Sequence, residues 1–246
     1  MPAAQPASRP KYKRVVLKLS GEVLRGGKSG DPIDAATLER TCLQVKEIHE
    51  LGVQIGVVIG GGNIFRGLAG AAKGMDRVSA DQMGIMATVM NALAMQGVLK
   101  SKGADARVLS AIAMPTVCET YSPAKGIHHL QKGRIVICAA GTGLPFFTTD
   151  TGAALRAAEL RCQALLKGTS VDGVYSADPK TSPAAKRFDR ITFGEILKLD
   201  LRIMDPAAIA LARDNGIPVV VFSIRKPGAV GEVLSGAGRF TTVTKD

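Results

Sequence analysis

Val53-Gln-Ile-Gly-Val-Val-Ile59 runs straight into Gly60-Gly61-Gly62, and that junction decides the fold. The run is almost continuously apolar, as a strand covered on both faces requires. The glycines at its carboxyl end leave backbone N–H groups with no Cβ in front of them. Such a loop can close on phosphate oxygens. Upstream, Val15–Leu19 is a short β-branched strand ending in Ser20-Gly21. Between the two, Asp34 is placed to cap a helix with apolar positions at Leu38, Val45, Ile48 and Leu51, and Gly52 stops it. Strand, helix, strand and glycine turn make a βαβ unit.

The pattern continues in kind. Ser79 is expected to cap a long helix to about Lys100, closed by Gly103. Ala106–Ser110 is a strand, Pro123–Lys132 a helix and Arg134–Cys138 a buried strand followed by Gly141-Thr142-Gly143. Thr149-Asp150 opens a helix through about Arg161, and Cys162–Lys167 is a strand ending in Gly168. Residues 172–187 read as loop. Asp205-Pro206 is an N-cap followed by proline at the first helical position, and that helix ends at Gly216. Val219–Phe222 is a strand, Pro227–Leu234 a short helix and Phe240–Val243 a last strand. The expected fold is α/β: a mostly parallel central sheet in an α/β/α sandwich. One domain should cover 13–246, behind a disordered, basic, Pro/Ala-rich tail over 1–12.

Composition bounds the function. Of 246 residues, 46% are hydrophobic and 4% aromatic, with no Trp. The core must therefore be aliphatic and Ala/Gly-rich. The net charge is +11, and Arg9, Lys11, Lys13 and Arg14 precede the first acid, Glu22. That excess serves solubility, or attraction to polyanions such as nucleotides. No basic run is interleaved with aromatics, which argues against a dedicated nucleic-acid surface. Cys42, Cys118, Cys138 and Cys162 show no zinc spacing and lie among apolar neighbours. Buried reduced thiols and a cytoplasmic location follow. The opening MPAAQPASRP lacks the apolar stretch of a secretory signal, and no apolar run reaches the ~18 residues that span a bilayer.

Ser20-Gly21, Gly60–Gly62 and Gly141–Gly143 each follow a predicted strand. In open α/β sheets, ligands sit outside the carboxyl ends of strands. One such turn needs no ligand to explain it; several at one edge point to a site for several phosphates. One apparent phosphate motif is set aside. Gly21-Glu-Val-Leu-Arg-Gly-Gly27-Lys28-Ser29 is one residue too long for a P-loop. Lys28-Ser29 also runs into Gly30-Asp31-Pro32, which cannot continue the helix that a P-loop lysine must open.

Five segments occur in order: Lys18-Leu-Ser-Gly21, Gly60-Gly-Gly-Asn-Ile-Phe-Arg66-Gly67, Asp81-Gln-Met-Gly84, Gly141-Thr-Gly-Leu-Pro-Phe-Phe-Thr-Thr-Asp150 and Lys167-Gly-Thr169-x-Val-Asp-Gly-Val-Tyr175-x-Ala-Asp-Pro179. Together they resemble the bacterial UMP kinases of the amino-acid-kinase superfamily, over roughly residues 12–243. The Gly-Thr-Gly…Pro-Phe-Phe-Thr-Thr-Asp segment is specific to the UMP kinase branch, and the first and last segments are shared across the superfamily. The resemblance implies a phosphoryl transferase unrelated to P-loop enzymes, usually hexameric, that transfers the ATP γ-phosphoryl group to UMP. It places Lys18, Leu19, Ser20, Gly21, Gly62, Arg66, Thr169, Tyr175 and Asp178 on the ATP side. It places Gly61, Asp81, Thr142, Gly143, Leu144, Pro145, Phe146, Phe147, Thr148 and Thr149 on the UMP side. Tyr175 would flank the adenine and Asp178 would accept a hydrogen bond from the nucleoside.

Elementary chemistry agrees. UMP brings an anionic phosphate oxygen as nucleophile, so no general base is needed. What is needed is charge neutralisation and in-line placement of two phosphate chains that repel. Lys18 and Lys167, at strand ends, are the candidate catalytic cations, and Asp150 could hold both. Bland roles compete: a snorkelling Lys18, and an Asp150 that only caps its helix. Asp81, expected in the first turn of its helix, could accept from the ribose hydroxyls or merely complement the helix dipole. With no His/Cys cage and no carboxylate cluster, no metal ligands are assigned, and Mg²⁺ should arrive with ATP.

The chain departs from the family twice. Leu144 replaces the usual Asn, removing a side-chain amide beside the uracil. Gly26–Asp31 is one residue longer than the segment that carries GTP activation in relatives, and lacks its aromatic-Gly step. Two alternatives remain at this point: a kinase acting on a carboxylate or carbamate, and a nucleic-acid-binding regulator on the same fold. A homo-oligomer with no membrane contact is expected in either kinase case.

Overall fold

The computed structural model describes residues 10–26, 30–67, 70, 72, 74–179, 181–226 and 228–245. Residues 1–9 of the expected tail, and Lys28-Ser29 of the P-loop look-alike, lie outside the described residues. The strands are β1 (Arg14–Leu19), β2 (Gln54–Ile59), β3 (Ala106–Ser110), β4 (Glu119–Thr120), β5 (Ile135–Ala139), β6 (Ala164–Thr169), β7 (Val174–Tyr175), β8 (Arg187–Phe188), β9 (Arg190–Thr192), β10 (Val219–Ser223) and β11 (Phe240–Thr244). The helices are α1 (Ala35–Glu50), α2 (Arg77–Ser101), α3 (Pro123–Gln131), α4 (Thr149–Glu159), α5 (Phe193–Lys198), α6 (Pro206–Asp214) and α7 (Ala229–Leu234). A nine-stranded sheet runs in the order β4-β3-β5-β2-β1-β6-β10-β11-β9. Every neighbouring pair in it is parallel except β10–β11.

Alternation along the strands divides the core in two. Val15, Leu17 and Leu19 of β1 enter one cluster with side chains of α1, α2 and α7. Val16 enters the other, with Ala153, Ala154 and Ala157 of α4 and Ala208 and Ala212 of α6. Side chains alternate with a period of two, so Lys18 shares the face of Val16. By the same rule Lys167 shares the face of Leu165, which also lies in the second cluster. Lys18 and Lys167 are register partners across β1 and β6. The parallel pairing therefore sets two ammonium groups side by side beneath α4.

Most expected elements stand, several with shifted ends. Asp34 caps α1, accepting from the Thr37 N–H at 2.9 Å. The cap of α2 is Asp76, not Ser79; the Ser79 N–H donates to Asp76 Oδ2 at 2.9 Å. Asp-x-x-Ser offers two residue types that cap equally well, and the earlier one prevails. That cap bond also holds the Asp76 carboxyl below the usual range. Asp81 consequently lies in the second turn of α2. Helix α4 ends at Glu159, short of the expected Arg161, which turns left-handed at φ 56°. Strand β6 starts at Ala164 and continues past Lys167 to Thr169. The expected loop 172–187 carries β7 and part of β8, which pair as an antiparallel ribbon. β4, β9 and α5 have no counterpart in the expectation, being too short and too polar to show a period. Tyr12 is buried in the first core cluster and the Lys11 N–H donates to the Leu234 carbonyl. The expected boundary after residue 12 thus falls within packed chain. Cys42 and Cys138 are buried, whereas Cys118 and Cys162 are half-buried, and all are free thiols.

Gly61 shows how tightly the loop after β2 meets α2. A Cβ there would lie 2.6 Å from the Gly84 carbonyl oxygen and 2.8 Å from the Ala87 Cβ. Gly97, on the exposed face of α2, would meet nothing within 4 Å. Gly97→Ala should therefore stabilise the chain by about 0.5–1 kcal/mol through helix propensity. Gly61→Ala should cost about 1–3 kcal/mol through overpacking. Urea unfolding of both variants checks the pair, and effects of equal sign would contradict this packing.

Candidate active site

Thr148 caps α4, its side chain accepting from the Asp150 N–H at 3.0 Å. Asp150 is therefore not the cap, and its carboxylate is available to the sheet. Its Oδ1 lies 2.8 Å from Lys18 Nζ and its Oδ2 2.7 Å from Lys167 Nζ. The three side chains are only 10 to 15% exposed. Burial pushes the Asp150 carboxyl up, but the two ammonium groups outweigh burial and hold it below the usual carboxylate range. Burial brings the Lys167 ammonium down to about 8; Asp150 opposes this and Lys18 adds to it. The result is one carboxylate between two cations, with a net positive charge directed at the carboxyl edge of the sheet.

Two cavities open near this triad: Lys167 lines one, and Thr149, next to Asp150 in the chain, lines the other. The first, about 450 Å³, is lined by Gly61, Asp81, Thr142, Leu144 and the run Phe146–Thr149, all expected on the UMP side. Gly62 and Arg66, expected on the ATP side, line the same cavity. Arg66 reaches Glu22, and its Nε donates to the Gly62 carbonyl at 3.2 Å. Gly143 and Pro145 lie in the loop but not on the cavity wall; the Gly143 N–H is turned back to the Ala140 carbonyl. Leu144, Phe146 and Phe147 are exposed and give the cavity an apolar mouth. Asp81 Oδ2 accepts from Arg77 Nε at 2.8 Å and from the Phe146 N–H at 2.9 Å.

The second cavity, about 620 Å³, is lined by Lys167, Thr169, Tyr175 and Asp178 among others. The Tyr175 hydroxyl donates to Asp172 Oδ1 at 2.6 Å, and Arg239 Nε pairs with Asp172 Oδ2 at 2.9 Å. Leu19 buries its side chain in the core, leaving only backbone for a ligand. Ser20 caps a short 3₁₀ turn, Gly21–Leu24. A further cavity of about 590 Å³ opens at the amino ends of β1, β2 and β6, beside Lys13, Gln54 and Arg161, and contains none of the expected residues.

Several residues that build the site were not assigned to it from sequence. Asp205 caps α6 and also accepts from Thr148 and Thr151 of α4. It thereby ties together the starts of the two helices under the triad. Arg77 and Asp172 set the carboxylate and phenol described above. Asn63, Thr88 and Asn91 lie wholly beneath the glycine turns. The only available signal was polar residues at otherwise apolar positions of α2, which also suit a solvent-facing stripe.

A Lys-Asp-Lys cluster at the carboxyl edge of a parallel sheet, with one cavity walled by Lys167 and another by Thr149, can serve two anionic chains. The amino acid kinase family matches residues 13–223, and the chain belongs to that family. Within it, the similarity is to uridylate kinases. The chain is 56% identical to the uridylate kinase of Paramagnetospirillum magneticum over 98% of its own length and 100% of that protein's. It is 57% identical to that of Erythrobacter litoralis, covering 95% of this chain and 98% of the relative. The crystal structure of UMP kinase from Bacillus anthracis superposes with a TM-score of 0.92 at 38% identity, covering 97% and 98% of the two chains. At such identity over nearly full length, the chain is a member of the uridylate kinase branch.

The triad makes two predictions. Above about pH 8, Lys167 loses the charge that phosphates need. The activity per free enzyme, kcat/KM, should fall there, and Lys167→Arg should lack that limb because guanidinium does not titrate. Stability should move the other way. The folded value, about 8, lies below the ordinary 10.5. The unfolded chain then holds more protons across that window, so this group's contribution to stability rises with pH. A pH profile flat to 10 in the unsubstituted enzyme would contradict the assignment. Asp150→Asn leaves two buried ammonium groups opposed, at a cost of about 3–5 kcal/mol. Without Asp150 the Lys167 ammonium should lose its proton below the parent's value of about 8, so the melting temperature should recover toward that of the parent at a pH below 8.

Proposed function

We propose that the chain transfers the γ-phosphoryl group of ATP to UMP, giving UDP and ADP. The observation that carries this is the pair of register-matched lysines held on one carboxylate, beside a cavity that Lys167 lines and a second that reaches Thr149. The UMP-specific loop Gly141–Asp150 lines one cavity, and the Asp-Gly…Asp-Pro loop lines the other. An oxygen of the UMP phosphate attacks the γ-phosphorus, an O–P bond forms, and the bond to the β,γ-bridging oxygen breaks. The electrons leave on ADP, and no proton must move. Lys18 and Lys167 offset the charge that accumulates on the transferred group. Asp150 fixes their separation.

On the acceptor side, Asp81 would take the ribose hydroxyls, and the apolar mouth of Leu144, Phe146 and Phe147 would receive the base. With Leu144 in place of an amide, base discrimination there falls to backbone groups. On the donor side, Tyr175 would flank the adenine and Asp178 the nucleoside. Mg²⁺ would arrive with ATP, held by phosphate oxygens and water, since the Asp150 carboxylate is committed to lysines. Among the described residues, no cluster of three or more His, Cys, Asp or Glu is placed to hold a metal. Assembly as a hexamer in the cytoplasm is part of the same proposal. Met83, Met86 and Met90 form an exposed stripe along one side of α2, 45 to 54% accessible. Such a stripe suits burial against a second copy.

A coupled assay of ATP with UMP, aspartate, acetylglutamate or carbamate separates this reading from its relatives. UMP alone should support turnover, and Lys18→Ala should reduce kcat by about a hundredfold or more. The parent enzyme should prefer UMP to dUMP by roughly ten- to a hundredfold, as a hydrogen bond to a charged group allows. Asp81→Asn should shrink that ratio. An unchanged ratio with a lower melting temperature would leave Asp81 a purely structural role.

A further inference from the structure

Helix α2 carries a row of polar side chains on its buried face. Asn91 is wholly buried, and Thr88 and Asn63 nearly so. In an aliphatic core, each amide and hydroxyl costs free energy unless paired, so their partners indicate why they are there. Asn91 Nδ2 donates to the Gly60 carbonyl at 2.7 Å and to Asn63 Oδ1 at 2.8 Å. Asn63 Nδ2 returns a bond to Asn91 Oδ1 at 3.1 Å and donates to the Pro32 carbonyl at 2.7 Å. The reciprocal amide pair presses against the turn after β1. A Cβ on Gly21 would lie 2.2 Å from Asn63 Oδ1 and 2.5 Å from the Gly60 carbonyl. Nearly one turn earlier, Thr88 Oγ1 donates to the Ile85 carbonyl and accepts from the Ala140 N–H at 2.9 Å. Ala140 sits at φ 63°, where the chain leaves β5 for Gly141-Thr142-Gly143.

Three glycine turns on three separate strands are thus referred to one rigid helix. We infer that Asn91, with Asn63, and Thr88 are positioning residues: the amide pair holds the turns after β1 and β2, and the threonine holds the turn after β5. Asn63 and Asn91 line neither cavity; Thr88 borders the acceptor cavity, but its hydroxyl is committed to the Ile85 carbonyl and the Ala140 N–H. Each fixes a backbone group whose neighbour faces a phosphate, and this inference rests on the UMP kinase activity proposed above. The division of labour gives it content. Outside its own helix the Thr88 hydroxyl bonds the loop after β5, whereas the amide pair lies against turns assigned to both nucleotides.

The test uses full-length protein. Thr88→Val keeps the volume and removes the acceptor of the Ala140 N–H. KM for UMP should rise at least tenfold while KM for ATP holds. Thr88→Ser, which keeps the hydroxyl, should restore the UMP value. Asn91→Leu should raise both KM values and lower kcat. If it fails to fold, the Thr88 pair decides the matter. A Thr88→Val enzyme with both KM values unchanged, whatever its melting temperature, overturns the inference, because a merely structural strut would lower stability alone. Equal increases for UMP and ATP in Thr88→Val also overturn it. An unsubstituted enzyme inactive on UMP would instead sink the activity itself, and is scored separately.

Discussion

One carboxylate placed between two ammonium groups is the constraint on which the rest of the molecule depends. Lys18 and Lys167 occupy opposed positions of adjacent parallel strands, on the same face. Like charges so placed repel, and partial burial worsens the repulsion. Asp150 resolves this only if the start of α4 comes down onto the sheet. Small residues at 152–154 and Ala157 allow that approach, Thr148 takes over the capping, and Asp205 anchors the helix start from α6. Remove the carboxylate, and the local register of the sheet holds two cations with no partner.

The same economy governs the cavity on the other side of the triad. Helix α2 reaches that region at Asp81, Thr88 and Asn91, each ending on a backbone group of a loop. Catalysis of phosphoryl transfer is mostly placement and charge, and placement here is shared with a helix whose polar side chains end on loop backbone groups. Loops that would otherwise sample many conformers are held in one before a ligand arrives, which lowers the entropy cost of binding.

Much of this was legible in the sequence. The apolar run ending at Ile59, the cap at Asp34 and the Asp205-Pro206 start each have a local cause and were read correctly. The placement of the two lysines and Asp150 was legible too, because positions near strand ends and helix starts are properties of short segments. Registers and partners were not legible. That Lys18 faces Lys167, that Asp81 is already bonded to Arg77 and Phe146, and that Asn63 meets Asn91 are facts about pairs far apart in the chain. The ribbon β7–β8 and strand β9 were missed because segments of two or three residues carry no period. Gly62 and Arg66 were referred to the ATP side, yet line the other cavity, since the loop after β2 curls toward α2 after Gly61.

The position of the triad within the sheet has a kinetic meaning. β1 and β6 sit at the centre of the nine-stranded order, flanked on both sides by parallel neighbours. Their amides should open only with the whole domain and exchange with solvent most slowly. The ribbon β7–β8 that carries Tyr175 stands outside that sheet, with a single partner strand on each side of its pairing. It is fastened to β11 at one buried hydroxyl, Thr241 Oγ1, which accepts from the Val174 N–H and donates to the Phe188 carbonyl. The charged centre lies in the sheet itself, whereas the Tyr175 wall of the donor cavity is joined to that sheet through this hydroxyl. Loss of the Thr241 hydroxyl would loosen the ribbon from the sheet while the lysines and their carboxylate keep their arrangement.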